Sequence, residues 1–127
     1  MTSIIQLRNA YQAGTLPKPY FLGAVYALTQ SLVEFQDALK GTQIREIIVG
    51  TDGLRIRTVD HDLEFMLYPE EANSLGTGIL AFGDAERLER RALLAAAQQS
   101  RVILDIGANV GWYSLHFARV AGEARIY

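Results

Sequence analysis

The most informative stretch of this 127-residue chain is VILDIGANVGWYS, residues 102–114, in which an apolar run, a carboxylate and a turn punctuated by glycines follow one another. Four of its first five residues are apolar, which is typical of a parallel strand covered on both faces. Asp105 interrupts the run at the position where open α/β sheets bind ligands, beyond the carboxyl ends of the strands. The stretch therefore predicts a strand, a ligand-facing turn and a helix in an α/β fold.

The turn combines three residues that tolerate unusual backbone conformations. Gly107 and Gly111 adopt positive φ angles readily, and Asn109 is among the few other residue types that enter the left-handed region. From Val110 the apolar spacing becomes helical, and Gly122 is placed to end that helix. We expect the backbone of this turn to wrap around a ligand.

The side chains of the turn narrow the class of ligand. A dinucleotide fingerprint starting at Gly107 would need glycine at positions 109 and 112, where this chain has Asn109 and Trp112. A carboxylate at Asp105 also repels the phosphates that a helix N-terminus would otherwise attract. A ligand with a cationic amino group fits this loop better than a pyrophosphate.

The segment from Asp105 to Ser114 resembles the first motif of class I S-adenosylmethionine-dependent methyltransferases, and its DIGAN variant is similar to the FkbM family. The resemblance implies that Asp105, Gly107, Asn109 and Gly111 hold the methionine part of S-adenosyl-L-methionine. It also implies methyl transfer to a hydroxyl group of a small-molecule, glycan or lipid acceptor. The catalytic residues stay unknown, because no acceptor-site or general-base residue is recognisable.

The last residues, 124–127, read as the start of a second parallel strand. In the resembled family this strand leads to an acidic residue that holds the ribose hydroxyls of the donor, as in dinucleotide folds. We therefore expect the chain to be an N-terminal fragment of a longer methyltransferase, inactive alone. A strand at 102–106 with few neighbours should also leave apolar edges exposed.

Composition excludes several other classes of protein. The formal net charge is −2, and no basic stripe indicates nucleic-acid binding. The absence of cysteine excludes disulfides and thiolate metal sites, and it agrees with a reducing, cytoplasmic location. The first residues lack the pattern of a signal peptide, and the longest apolar stretch is too short for a membrane span.

The N-terminal third is expected to be helical. Ser3 and Gln6 form a capping-box pattern, and prolines 17 and 19 precede a helix that should run to about Lys40. This helix carries apolar residues at alternating spacings of four and three, which form a seam at positions 21, 25, 28, 32, 35 and 39. We expect the seam to pack within the chain, against the first helix or on the following sheet; a homodimer through residues 21–39 is the alternative.

From Ile44 the pattern alternates, and it predicts strands at 44–49, 54–59 and 63–68 in an antiparallel meander with cross-strand Arg–Glu pairs. Residues 69–83 read as a linker or as a loop over a ligand pocket. Asp84 should cap a helix that runs to about Gln98. That helix should bury Leu88, Ala92 and Ala95, with Arg87, Arg90 and Arg91 on a solvated face.

The two histidines do not indicate a metal centre. The triplet Asp60-His61-Asp62 falls in a tight turn between strands, where neighbouring side chains diverge. His116 lies on the helix after the glycine turn, and no partner residue supports a role as a general base. We therefore expect no metal site.

The combined prediction is an α/β chain. Residues 1–83 form a helical hairpin with an antiparallel meander, and residues 84–127 form the first β-α-β elements of a Rossmann-like methyltransferase domain. An alternative function is a non-catalytic interaction or oligomerisation module in which the glycine turn is purely structural.

Overall fold

The computed structural model describes residues 3–68 and 70–127. This part of the chain contains five helices, a three-stranded antiparallel sheet and a two-stranded parallel sheet, which confirms the mixed α/β class. The chain divides into two compact units, residues 1–40 and 41–127, whereas the sequence placed the division between 83 and 84. The meander belongs to the second unit because its Phe65 packs on Trp112, with ring centroids 5.3 Å apart.

The first unit consists of helix α1, Ile4–Gln12, and helix α2, Lys18–Ala38. The capping box is present, since Ser3 Oγ accepts from the backbone N–H of Gln6 and Gln6 Oε1 accepts from that of Ser3. Tyr11 and Phe21 stack with ring centroids 4.9 Å apart. The expected contact between the two helices is therefore present in the first half of the seam.

The rest of the α2 seam is largely uncovered within the first unit. Leu32 is 59% exposed and Phe35 is 44% exposed, and neither described helix of this unit has a fully buried residue. A short two-helix unit of this kind buries too little apolar surface to be strongly stable by itself.

The second unit begins with the meander of β1, Ile44–Gly50, β2, Gly53–Thr58, and β3, Glu64–Leu67. The strands pair antiparallel in the order β1-β2-β3. The three predicted strands are confirmed to within one residue at each end. Ile56 and Thr58 of the central strand are fully buried, as the alternating pattern indicates.

The outer face of the meander carries the predicted charge pairs. Arg57 bonds Glu46 on one neighbouring strand at 2.9 Å and Glu64 on the other at 2.8 Å. Arg55 Nε lies 2.9 Å from Glu64. Because these groups are partly exposed, each pair adds at most about 1 kcal/mol to stability.

The prediction of a loop over residues 69–83 is wrong for most of its length, although Pro69 lies outside the described residues. Residues Leu75–Phe82 form helix α3, which begins after a cap at Ser74 and ends at Gly83 with a φ of 80°. The glycines of this helix suggested a break in the chain, but Gly76 packs directly against Leu67. A Cβ at Gly76 would lie 3.1 Å from a Leu67 methyl group, so a close tertiary contact outweighs the poor helix propensity.

Helix α4, Arg87–Ala97, begins two residues later than predicted and turns a different face inward. The predicted stripe of Leu88, Ala92 and Ala95 is exposed, with Leu88 75% exposed, so that prediction is wrong. The buried residues are Arg90 and Ala97. Arg90 rotates inward because Asp84, instead of capping the helix, pairs with its guanidinium.

The chain ends in a β-α-β unit made of β4, Val102–Ile103, helix α5, Trp112–Val120, and β5, Arg125–Ile126. The two strands pair in parallel, as predicted for the last residues. The predicted strand at 102–106 is only two residues long, because β5 is its only described partner and gives it a short ladder. The expected apolar edge is present, and Ile106 is 93% exposed.

A small core joins these elements. Ala97, Phe117 and Ala121 are buried together, and Ile103 and Ile126 of the parallel strands pack against them. This core fixes α5 on the parallel strands and so positions the turn that precedes it. Among residues 3–68 and 70–127, none of the helices combines the length and the apolar character that crossing a bilayer requires.

Candidate functional site

The turn between β4 and α5 has the backbone geometry that its sequence predicts. Gly107, Asn109 and Gly111 all have positive φ angles, of 77°, 52° and 79°. A Cβ built at Gly107 would meet no atom within 4 Å, so the backbone there faces open space. Three left-handed residues in alternation therefore produce a tightly curved loop whose backbone a ligand can approach closely.

Asp105 fixes this loop to helix α5. Its Oδ2 accepts hydrogen bonds from the Ser114 backbone N–H at 3.1 Å and from the Ser114 hydroxyl at 2.6 Å. The Asp105 N–H in turn donates to the carbonyl of Tyr127 at 2.7 Å. Because a carboxylate at a helix N-terminus is stabilised by the helix dipole, Asp105 holds both the loop and the first turn of α5.

A cavity of about 310 Å³ lies beside the loop. Its lining residues are 107–110, Trp112 and Tyr113, together with Leu75, Ala85 and Glu86. Two of the four predicted site residues, Gly107 and Asn109, thus line the same cavity. Asp105 and Gly111 are not among its lining residues. The volume lies at the lower end of the range for small-molecule sites.

Two of the polar residues that line this cavity, Glu86 and Tyr113, are bonded to each other. The Tyr113 hydroxyl donates to Glu86 Oε2 at 2.5 Å. Burial, together with the Glu86 carboxylate, raises the pKa of Tyr113 to about 12, so the phenol stays protonated near neutral pH. Sequence reasoning missed both residues as site residues, since Glu86 looked like an ordinary acidic group near a helix start.

An open groove of about 580 Å³ also borders the loop. Asn109 and Val110 line both spaces, and the remaining walls come from β3 and the residues after it, including Glu64, Tyr68 and Glu71. The loop therefore borders both the cavity and a groove with an acidic margin. The segment after the meander borders both spaces, since Glu71 lines the groove and Leu75 lines the cavity.

His116 has a partner in the fold, so the expectation that it has none is wrong. Its Nδ1 lies 2.7 Å from Nδ1 of His61, and its ring packs edge-on against Trp112 with centroids 4.5 Å apart. His116 is fully buried. This burial, together with the nearby Arg90 and His61, lowers its pKa to about 4. The two histidines are 55 positions apart in the chain, so only the tertiary structure brings them together.

Arg90 completes this cluster, and the prediction that it lies on a solvated face is wrong. Its guanidinium makes two bonds to Asp84, reaches Asp60 at 3.5 Å and lies 5.3 Å from the centre of the Trp112 ring. Burial by itself would raise the pKa of Asp84, but hydrogen bonds from Arg90 and the Ala85 N–H outweigh it and hold that pKa below its usual value. The cluster ties α4 and α5 to the turn after β2.

Within the described residues, no three histidine, aspartate or glutamate side chains come together to form a metal site. Comparisons of the chain with protein-family models, with curated proteins and with solved structures return no match. The functional argument therefore depends on the geometry of the glycine turn and of the cavity beside it.

Proposed function

We propose that residues 105–111 bind S-adenosyl-L-methionine and that the protein is an FkbM-like methyltransferase that transfers a methyl group to a hydroxyl acceptor. The observation that carries this proposal is the alternation of left-handed residues at positions 107, 109 and 111, which opens the loop backbone toward a cavity. A loop of this kind at the carboxyl end of a parallel strand is where α/β folds bind their cofactors. The β-α-β unit would be the start of a Rossmann-like domain.

The chain's own residues fit the methionine part of such a donor. The backbone at Gly107 has no side chain in the way, and the cavity beside it contains a carboxylate that attracts a cationic amino group. Asp105 keeps the loop in place through Ser114. When bound, the donor supplies an electrophilic methyl group; the protein supplies position and excludes water.

For the acceptor we propose the open groove that Asn109 and Val110 also border. Glu64 and Glu71 at its margin are hydrogen-bond acceptors, which suit a hydroxyl-bearing small molecule, glycan or lipid headgroup. Because the loop forms a wall of both spaces, an acceptor in the groove would lie next to the loop that binds the donor.

Donor titration tests the proposal. Isothermal titration calorimetry with S-adenosylmethionine should show binding to the protein expressed from its complete reading frame, and Asp105→Ala should weaken it at least tenfold by releasing the loop. Asp37→Ala, which removes an exposed carboxylate on α2, is the matched control and should bind normally. Absence of binding to the unmodified protein at millimolar donor would refute the proposal.

The exposed part of the α2 seam favours a second candidate function, in which the first unit mediates assembly. Leu32 and Phe35 present apolar surface on the same helix face as Phe21 and Leu28. Sedimentation of the protein over a range of concentrations tests this function. A concentration-dependent dimer that Leu32→Glu abolishes would support it, and a monomer at every concentration would exclude self-assembly.

A further inference from the structure

We infer that Glu86, and not Asp105, is the carboxylate that receives the cationic amino group of the bound ligand. This inference rests on the proposed function, since it assigns a ligand contact within the same cavity. Asp105 then shapes the loop, whereas Glu86 recognises the ligand.

Glu86 has the position that such a contact requires. It lines the same cavity as residues 107–110, and its side chain is anchored by the Tyr113 hydroxyl, which also lines the cavity. A single hydrogen bond to Oε2 leaves the other carboxylate oxygen with unused acceptor capacity. Among the described residues, no cationic side chain forms a salt bridge with Glu86, whereas Asp84 nearby is paired with Arg90.

The backbone at Glu86 gives a second indication. Its φ of 46° lies in the left-handed region, which a glutamate rarely adopts. Strained residues of this kind persist where the surrounding structure holds them, and they cluster at ligand-binding positions. Here the strained residue lies two positions after Asp84, which is held by Arg90, and Glu86 itself lines the cavity.

Asp105 is already engaged elsewhere. The Oδ2 atom accepts two hydrogen bonds from Ser114, and the residue is not among those that line the cavity. Its charge stabilises the start of α5. Asp105 is therefore a positioning residue for the loop, and Glu86 selects a ligand with a free α-ammonium group.

The test compares two ligands and two variants by calorimetry on the protein from its complete reading frame. The ligands are S-adenosylhomocysteine and its deaminated analogue, 5′-S-(3-carboxypropyl)-5′-thioadenosine. Glu86→Gln removes the charge but keeps an amide oxygen that accepts the Tyr113 bond, so the fold should be preserved. Glu89→Gln, on an exposed position of the same helix, is the matched control.

We expect Glu86→Gln to weaken S-adenosylhomocysteine roughly tenfold and to leave the affinity for the deaminated analogue unchanged. The Glu89→Gln protein should bind both ligands normally. Equal binding of S-adenosylhomocysteine by the wild type and by Glu86→Gln, with unchanged melting temperatures, would overturn the role of Glu86 and leave the proposed function intact. Failure of the unmodified protein to bind either ligand would overturn both.

Discussion

Acidification should destabilise the second unit through His116. This histidine is fully buried, lies 2.7 Å from His61 and is packed on Trp112, with Arg90 nearby. Only one proton fits between the two Nδ1 atoms, one of which donates while the other accepts, so a second proton on that side would break the hydrogen bond. Asp60 and Asp84 face the same cluster and offset part of the charge, but the pKa of His116 stays lowered to about 4.

The sign and size of the effect follow from linkage. In an unfolded chain the pKa of His116 is near the ordinary histidine value of 6.5, whereas in the folded protein it is about 4. The unfolded state therefore binds more protons between these values, and stability falls as the pH drops below about 6.5. The loss should be about 1 kcal/mol near pH 5.5 and on the order of 2 kcal/mol near pH 4.5.

Urea unfolding at a series of pH values measures this loss. Trp112 is the only tryptophan in the sequence and contacts His116, so its fluorescence reports directly on the cluster. The variant His116→Gln cannot titrate and should show a much flatter stability profile between about pH 6.5 and pH 4.5. Equal slopes for the two proteins over this interval would refute the assignment of the acid sensitivity to His116.

Three further changes have expected outcomes. Arg90→Ala should lower the free energy of unfolding by about 3 kcal/mol, because it leaves the partly buried carboxylate of Asp84 unpaired. Arg91→Ala, at an exposed position of the same helix, should change the free energy of unfolding by less than about 0.5 kcal/mol. Chemical denaturation of the two variants measures this difference. Gly107→Ala should cost about 1 to 2 kcal/mol from backbone strain alone, since its φ is 77° and no atom crowds the site; a neutral result in thermal melts would contradict that backbone geometry. Ser3→Ala should reduce the helicity of the first unit by circular dichroism, with a loss of about 1 kcal/mol, and an unchanged spectrum would mean that the capping box is dispensable.

The local patterns of the sequence predicted much of the fold correctly. The capping box at Ser3, the three strands of the meander and the glycine turn depend on residues close together in the chain, and each is present. The predictions that failed depend on tertiary contacts. The glycines of α3 and the inward face of α4 depend on contacts with Leu67 and Asp84, which local propensity does not contain.

The candidate site likewise has one part that follows from local sequence and another that depends on tertiary contacts. Left-handed conformations at Gly107, Asn109 and Gly111 follow from residue type, because few side chains tolerate a positive φ. The cavity beside them needs Glu86 from another element, and Tyr113 anchors that side chain.

The sequence alone determined that a carboxylate and a glycine turn follow a parallel strand, since strand pattern and backbone freedom are local properties. Only the tertiary structure decided where the charges of the region point. It joined Asp105 to Ser114, left Glu86 at the cavity and buried His116 against His61. The physical reason is that hydrogen bonding and burial act between residues that are distant in the chain, and the direction of a side chain depends on those partners.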